Sequence, residues 1–185
     1  MILPIYAYGH PVLKKVCQEI TSKHEGLDEL LSSMWDTMYH AKGIGLAAPQ
    51  IGKSIRVFLV DTKQLEDEEK DLVGIKKCFI NATIIEEDGV EESFEEGCLS
   101  IPDVRGDVMR KPNIKIRYQD EKFEEHEESY SGINARVIQH EYDHIEGKLF
   151  TELLQPLRKR RVKRRLESIK KGNVVADYRM RFVIK

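Results

Sequence analysis

Long apolar runs are absent from this chain of 185 residues. No stretch of about eighteen consecutive apolar residues occurs, so we expect neither a membrane-spanning helix nor a membrane partner. Residues 1–6 lack a basic segment and a small-residue cleavage site, so we do not expect a signal peptide. Internal repeats and linkers are absent as well. We therefore expect one domain over residues 1–185, long enough to bury a single core.

A strong excess of one charge is also lacking, because the formal net charge is only −2. With 41 % apolar and 34 % charged residues, the composition is typical of a globular protein with a charged surface. The charges are nevertheless segregated. Acidic clusters lie at residues 66–69, 86–92 and 124–128, and the polar stretch 64–71 is expected to be a surface loop. Nine lysines and arginines lie between residues 158 and 171, against one acid.

The hydrophobic pattern predicts a mixed α+β fold. Apolar residues recur at helical spacing between residues 25 and 42, and Gly43 supplies a stop. A second helix is expected to open at Ser131 and to end at Gly147. Strands are predicted at residues 55–60, 78–85, 104–109 and 114–118. We expect short, mainly antiparallel strands around this second, central helix, followed by a basic C-terminal helix (151–171, helical from about 153) and a tail (172–185).

A His-Glu-x-x-His pattern is formed by His140, Glu141 and His144. Positions four apart in a helix lie on one face, so both imidazoles could bind one metal ion. Glu141 would then lie close to a water molecule bound to that ion. Metal-assisted hydrolysis uses this geometry. The alternative is a helix whose histidines are ordinary polar surface residues.

Few cysteines are available as a third ligand, since the chain has only Cys17, Cys78 and Cys98. Cys17 and Cys78 lie in apolar surroundings and are predicted to be small buried side chains. Cys98 follows a glycine, which allows close backbone approach, and completes a plausible set of one thiolate and two imidazoles. Cys98 could instead act as a nucleophile. The low cysteine content favours a reducing compartment, such as the cytoplasm of a bacterium or an organelle matrix.

A glycine-rich run, Gly-Ile-Gly-Leu-Ala-Ala-Pro-Gln, occupies residues 43–50. Its small residues would let a substrate backbone come close, and Gln50 offers an uncharged amide donor. A helix C-cap glycine followed by a tight turn is the structural alternative.

Together, three runs resemble the signature motifs of the peptide deformylases: residues 43–50, Glu-Gly-Cys-Leu-Ser at 96–100 and Gln-His-Glu-Tyr-Asp-His at 139–144. They occur in this order, and the similarity extends from residue 9 to residue 150. The resemblance implies hydrolysis of the N-formyl group of formyl-methionine on newly made polypeptides, with release of formate.

The resemblance also implies roles for individual residues. Cys98, His140 and His144 would hold the metal, and Glu141 would move the proton between water and the departing amine. The Gln50 side chain and the Leu99 backbone N–H would stabilise the oxyanion. Fe²⁺ is expected in the cell, and Zn²⁺, Ni²⁺ or Co²⁺ in purified protein.

The methionine side chain needs an apolar slot beside the metal. The candidates are Ile44, Val137, the ring of His140 and, less directly, Ile133. Backbone groups of Ile44, Gly45 and Gly97 could pair with an extended peptide, and Arg105 resembles a substrate-contacting position. Core packing is the alternative role for these residues.

Two other functions would account for parts of the sequence. A zinc endopeptidase would take its third ligand after the helix, where only Glu146 and Glu152 are available. A metal-stabilised scaffold that docks on RNA would not need Glu141 or Gln50.

The basic helix itself suggests a partner. We expect no DNA partner but a possible ribosome contact through a cationic surface, defined as Arg158, Lys159, Arg160, Arg161, Lys163, Arg164 and Arg165. A seam of Leu157, Val162, Leu166 and Ile169 could pack the helix on the domain, which is the alternative role. The tail could pin this helix or cover it.

Overall fold

The fold was obtained as a computed structural model that describes residues 1–183. Its strands are β1 (Ile5–Tyr6), β2 (Gly45–Ala47), β3 (Val57–Asp61), β4 (Lys76–Asp88), β5 (Glu92–Cys98), β6 (Ile101–Arg110), β7 (Asn113–Gln119), β8 (Glu125–Ser131) and β9 (Met180–Arg181). Its α-helices are α1 (Leu27–His40), α2 (Gly132–Ile145) and α3 (Pro156–Lys170). Short 3₁₀ turns occupy Pro11–Lys14, Ala48–Ile51, Thr62–Leu65 and Phe150–Glu152.

The strands form one larger sheet and two small ones. Five strands pair in the order β2-β3-β4-β7-β8, all antiparallel, while β5 and β6 form a separate hairpin. The pair β1–β9 is parallel. The prediction of an α+β fold with mainly antiparallel strands is therefore confirmed.

Helix α2 lies at the centre of these layers. One side packs on β2 and β3 through a buried cluster that includes Phe58, Phe79, Ala135 and Ile138. Other side chains of α2, among them Arg136 and His140, reach towards the β5–β6 hairpin. The helix ends where Gly147 adopts a left-handed φ of 69°, as the sequence predicts. Because both sides are covered, α2 can hold its polar residues in fixed positions.

Strands β5 and β8 were not predicted. Their sequences are rich in glutamate, which is depleted in strands, and parts of both were interpreted only as acidic clusters. Both lie at sheet edges, where one face is solvated and charge blocks further pairing. Their acids also pair across strands, as in the contact of 2.7 Å between Glu127 and Lys115.

Helix α3 starts at Pro156, later than predicted. Phe150–Glu152 forms a separate 3₁₀ turn, and proline fits the first helical position because its missing N–H needs no partner there. The prediction that Leu157 belongs to the buried seam is wrong, since this side chain is 61 % exposed. Val162, Leu166 and Ile169 are buried as expected.

The tail turns back onto the N-terminal strand. Its residues 184 and 185 lie outside the described part of the chain. The Ile5 and Ala7 N–H groups donate to the Arg179 and Arg181 carbonyls at 2.8 and 2.9 Å. The strand-like tail is thereby joined to β1. In residues 1–183, no helix has the length and apolar character needed to cross a bilayer.

Candidate active site

Helix α2 brings His140 and Glu141 to a cleft in which the hairpin supplies Cys98. His144, one helical turn after His140, lies buried behind the Cys98 thiol. The last residue of β5 is Cys98, directly after a shift in register between Gly97 and Cys98. This irregularity turns the chain at the point where the thiol meets the helix. The Cys98 Sγ lies 3.3 Å from His144 Nε2. The predicted thiol and imidazoles are therefore neighbours, although 46 positions separate Cys98 from His144.

The three side chains have the geometry and chemistry of a metal donor set. One donor atom from each of Cys98, His140 and His144 lies within 4.8 Å of the other two. Two donors that bind one ion tetrahedrally at about 2.0–2.3 Å lie roughly 3.5 Å apart. Burial, followed by the charge of His140, holds the pKa of His144 well below its ordinary value. This favours the neutral imidazole of His144, which is the form that ligates a metal. For His140, burial acts to lower the pKa, but hydrogen bonds with Cys98 and Glu96 outweigh it and raise that pKa.

Glu96 fixes the orientation of His140. Its Oε2 accepts a hydrogen bond from His140 Nδ1 at 2.9 Å, which leaves Nε2 of that ring for a metal. Arg110 donates to both oxygens of Glu96, at 2.7 and 3.0 Å. Burial acts to raise the pKa of Glu96, but the hydrogen bonds from His140 and Arg110 outweigh it and hold this pKa at about 2. The carboxylate is thus charged at all physiological pH values.

Glu141 is buried beside the donor set. Its Oε2 has no hydrogen-bond partner among residues 1–183, and burial raises its pKa to about 7. Gly45 lies against this carboxylate so closely that an added Cβ would come near Glu141 Oε1. Glycine is required at position 45 because any side chain would displace the acid.

Gln50 is held with its amide nitrogen towards the site. Its Oε1 accepts the Ala47 N–H at 2.8 Å. Its Nε2 lies 3.5 Å from Cys98 Sγ and 3.3 Å from Ser100 Oγ. Leu99 follows the thiol and faces the same cleft. Two potential donors to a developing oxyanion therefore flank Cys98.

The cleft has a volume of about 610 Å³. It is lined by the predicted residues Ile44, Gly45, Gly97, Arg105, Val137 and His140. Ile133 does not line it and packs instead against the buried cluster beneath α2. The exposed guanidinium of Arg105 pairs with Glu95 at 2.8 Å. The pocket residues thus share one cleft, while their contacts with substrate stay a prediction.

Several lining or supporting residues were not predicted. Glu96, Arg110 and Arg136 form a buried charged network, and residues 175–178 of the tail line the cleft. The strand positions of Glu96 and Arg110 could have indicated this network, because a charge that is buried in a sheet needs a partner. Nothing in the sequence indicated that the tail would reach the cleft.

The alternative third ligands lie elsewhere. Glu146 pairs with Arg56 at 2.7 Å, and Glu152 pairs with Lys14 at 2.5 Å. The donor arrangement expected for an endopeptidase is therefore not formed by these two acids.

Comparisons with known proteins agree with this geometry. A sequence model of the family described as "Polypeptide deformylase" matches residues 2–160. The chain is 54 % identical to a peptide deformylase of Christiangramia forsetii, covering 98 % of this chain and 96 % of that protein. It is 50 % identical to one of Cytophaga hutchinsonii, with complete coverage of both.

Solved structures are similar as well. A peptide deformylase from Legionella pneumophila is 34 % identical with a TM-score of 0.80, covering 94 % of this chain and 98 % of that one. The enzyme from Thermus thermophilus is 35 % identical with a TM-score of 0.82, covering 93 % and 99 %.

We predict that Glu96→Gln weakens metal binding by about 10- to 100-fold, the usual effect of losing a partner that orients a ligand histidine. Metal affinity would be measured by competition with a chromophoric chelator. The control is Glu95→Gln, which removes the neighbouring exposed acid and should leave affinity unchanged. Wild-type affinity in Glu96→Gln would contradict the orienting role.

Proposed function

The chain belongs to the peptide deformylase family, and we propose that it removes formyl groups by a metal-dependent hydrolysis that releases formate. Family membership makes deformylation of nascent peptides its activity. The observation that carries the proposal is the convergence of Cys98, His140 and His144 beside the buried, unpartnered carboxylate of Glu141. We further propose that residues 1–185 form one catalytic domain.

In this proposal, Cys98, His140 and His144 hold one divalent cation. When bound, such a cation supplies Lewis-acid activation of water and of a carbonyl group at neutral pH. Thiolate and imidazole donors suit both iron and zinc. We propose Fe²⁺ in the cell, by analogy with the family, and Zn²⁺, Ni²⁺ or Co²⁺ after purification.

Glu141 is proposed to move the proton. Its free Oε2 can accept the proton of the attacking water and return it to the nitrogen of the departing amine. Gly45 supports this role because its missing side chain leaves the space that the Glu141 carboxylate occupies.

Gln50 and Leu99 are proposed to stabilise the oxyanion. The hydrogen bond from Ala47 to Gln50 Oε1 supports this role, because it directs the amide N–H groups towards Cys98. Donors fixed before the reaction need no reorganisation as charge develops, and one such donor typically contributes about 10²–10³ in turnover.

The remaining lining residues are proposed to hold the formyl-methionine. Ile44, Val137 and the His140 ring would surround the methionine side chain, and the main chain of Gly45 and Gly97 would pair with the peptide. Arg105 would contact the substrate at the rim. Support for these roles is their position in one cleft with the metal donors.

We also propose that the enzyme works in the bacterial cytoplasm and docks on the ribosome through α3. Part of the cationic surface is already engaged, since Arg158 donates to the Arg105 carbonyl and Arg165 pairs with Asp103 at 2.5 Å. The remaining members, Lys159, Arg160, Arg161, Lys163 and Arg164, are exposed. Their charge would attract ribosomal phosphates.

The proposed reaction is tested with formyl-Met-Ala-Ser. The wild-type protein should release formate from this peptide and should not cleave casein. Glu141→Gln should retain metal near the wild-type level while kcat falls by roughly 10²–10⁴, the range of general acid–base catalysis. More than a tenth of the activity at full metal occupancy would remove Glu141 from the mechanism.

Metal dependence is tested separately. We expect a chelator to abolish turnover, and Co²⁺ substitution to give a thiolate-to-metal charge-transfer band that Cys98→Ala lacks. If Cys98 were the nucleophile instead, activity would survive chelation and an acyl-enzyme could be trapped.

Ribosome docking is tested by co-sedimentation at low and moderate salt. Because α3 packs on the domain, charge neutralisation is preferable to truncation. Glutamine at Lys159, Arg160, Lys163 and Arg164 should lower apparent affinity at low salt by at least about tenfold. The control replaces four exposed lysines elsewhere, Lys15, Lys23, Lys53 and Lys122. Equal binding by both variants would exclude docking through α3.

A further inference from the structure

The tail runs from the end of α3 towards the cleft. Gly172 has a left-handed φ of 73°, which ends the helix and lets the chain reverse. The turn is closed by hydrogen bonds from Gly172 N–H to the Ile169 carbonyl and from Asn173 N–H to the Ser168 carbonyl, both 2.9 Å. The family match ends at residue 160, before this turn. The tail lies beyond that match and follows a defined path back towards the cleft.

Three contacts hold the tail in place. Strand β9 pairs with β1, which fixes residues 180 and 181. The Tyr178 hydroxyl donates to the Leu99 carbonyl at 2.8 Å, directly after the Cys98 thiol. The Tyr178 ring also packs against the buried cluster that contains Met34 and Met38 of α1. The segment before β9 is thus anchored to Leu99, the residue that follows the proposed metal ligand Cys98.

The anchored segment forms part of the cleft surface. Val175, Ala176, Asp177 and Tyr178, here called the wall segment, line the same cleft as Cys98 and Glu141. Asp177 is exposed, and no hydrogen bond or ion pair reaches its carboxylate from residues 1–183. Two other charged side chains at this rim are already paired, Arg105 with Glu95 and Asp103 with Arg165. The Asp177 charge is therefore available to a ligand.

We propose that the wall segment is a substrate-contacting part of the cleft, and that Asp177 favours basic residues soon after the formyl-methionine. The inference rests on the proposed function, because it takes a formylated peptide end as the ligand. With the formyl group beside Glu141, the following residues must leave through the mouth of the cleft and pass its walls. A carboxylate there attracts a lysine and repels a glutamate of the passing chain, most strongly at low salt.

The test uses formyl-Met-Ala-Ala-Ala peptides that carry one lysine or one glutamate at position two, three or four. The measured quantity is the ratio of kcat/KM for the lysine peptide to that for the glutamate peptide. Wild type should favour lysine at one or more positions. Asp177→Lys should lower that ratio by about three- to tenfold at low ionic strength, with a smaller change at high salt. Asp177→Asn, which keeps the shape but removes the charge, should give an intermediate ratio.

The matched control is Asp67→Lys, an equal charge change at an exposed aspartate that does not line the cleft. It should leave the ratio at the wild-type value. An unchanged ratio in Asp177→Lys at all three positions would overturn the proposal. So would equal shifts in both variants, because these would report net charge rather than contact. If wild type hydrolysed none of the peptides, the proposed function itself would fail, which is a distinct result.

Discussion

The buried carboxylate of Glu96 is the contact on which the arrangement of the site depends. Glu96 lies on the hairpin that carries Cys98, whereas His140 lies on α2, so the elements that carry the candidate ligands come from distant parts of the chain. Its oxygens accept hydrogen bonds from His140 Nδ1 and from two nitrogens of Arg110. One side chain therefore sets both the position of the hairpin on the helix and the orientation of the His140 ring.

A charged network this deeply buried is not simply a source of folding stability. Removing ions from water costs several kcal/mol each, and their mutual attraction offsets this only when every group is hydrogen-bonded. Arg110 accordingly also donates to Asp143, and Arg136 donates to the carbonyls of Val108 and Glu92. We interpret the network as selecting one position for the hairpin, because apolar packing tolerates small shifts that a set of metal donors does not.

Features encoded over short stretches were predictable from the sequence. His140 and His144 share a face because one helical turn separates them, and Gly147 ends that helix as its position predicts. Glu96 lies inside a predicted motif, yet its partner His140 is 44 positions away, and only the packing of hairpin on helix reveals the pair. Leu157 was misassigned, and Ile133 takes its alternative role in core packing. Helical spacing shows which face a residue shares but not what covers that face.

The inner end of the cleft is lined by buried residues and its mouth by exposed ones, and the proposed substrate gives a physical reason for this difference. In the proposed function every substrate presents the same formyl-methionine, and a buried, fixed group such as Glu141 suits this common end. The residues that follow differ between polypeptides, and the mouth is built from exposed segments remote in sequence, including Arg105 and Asp177. The tail reaches the motif loops through the main chain of Leu99. The tail therefore joins the mouth through a main-chain contact, while the candidate metal ligands come from β5 and α2.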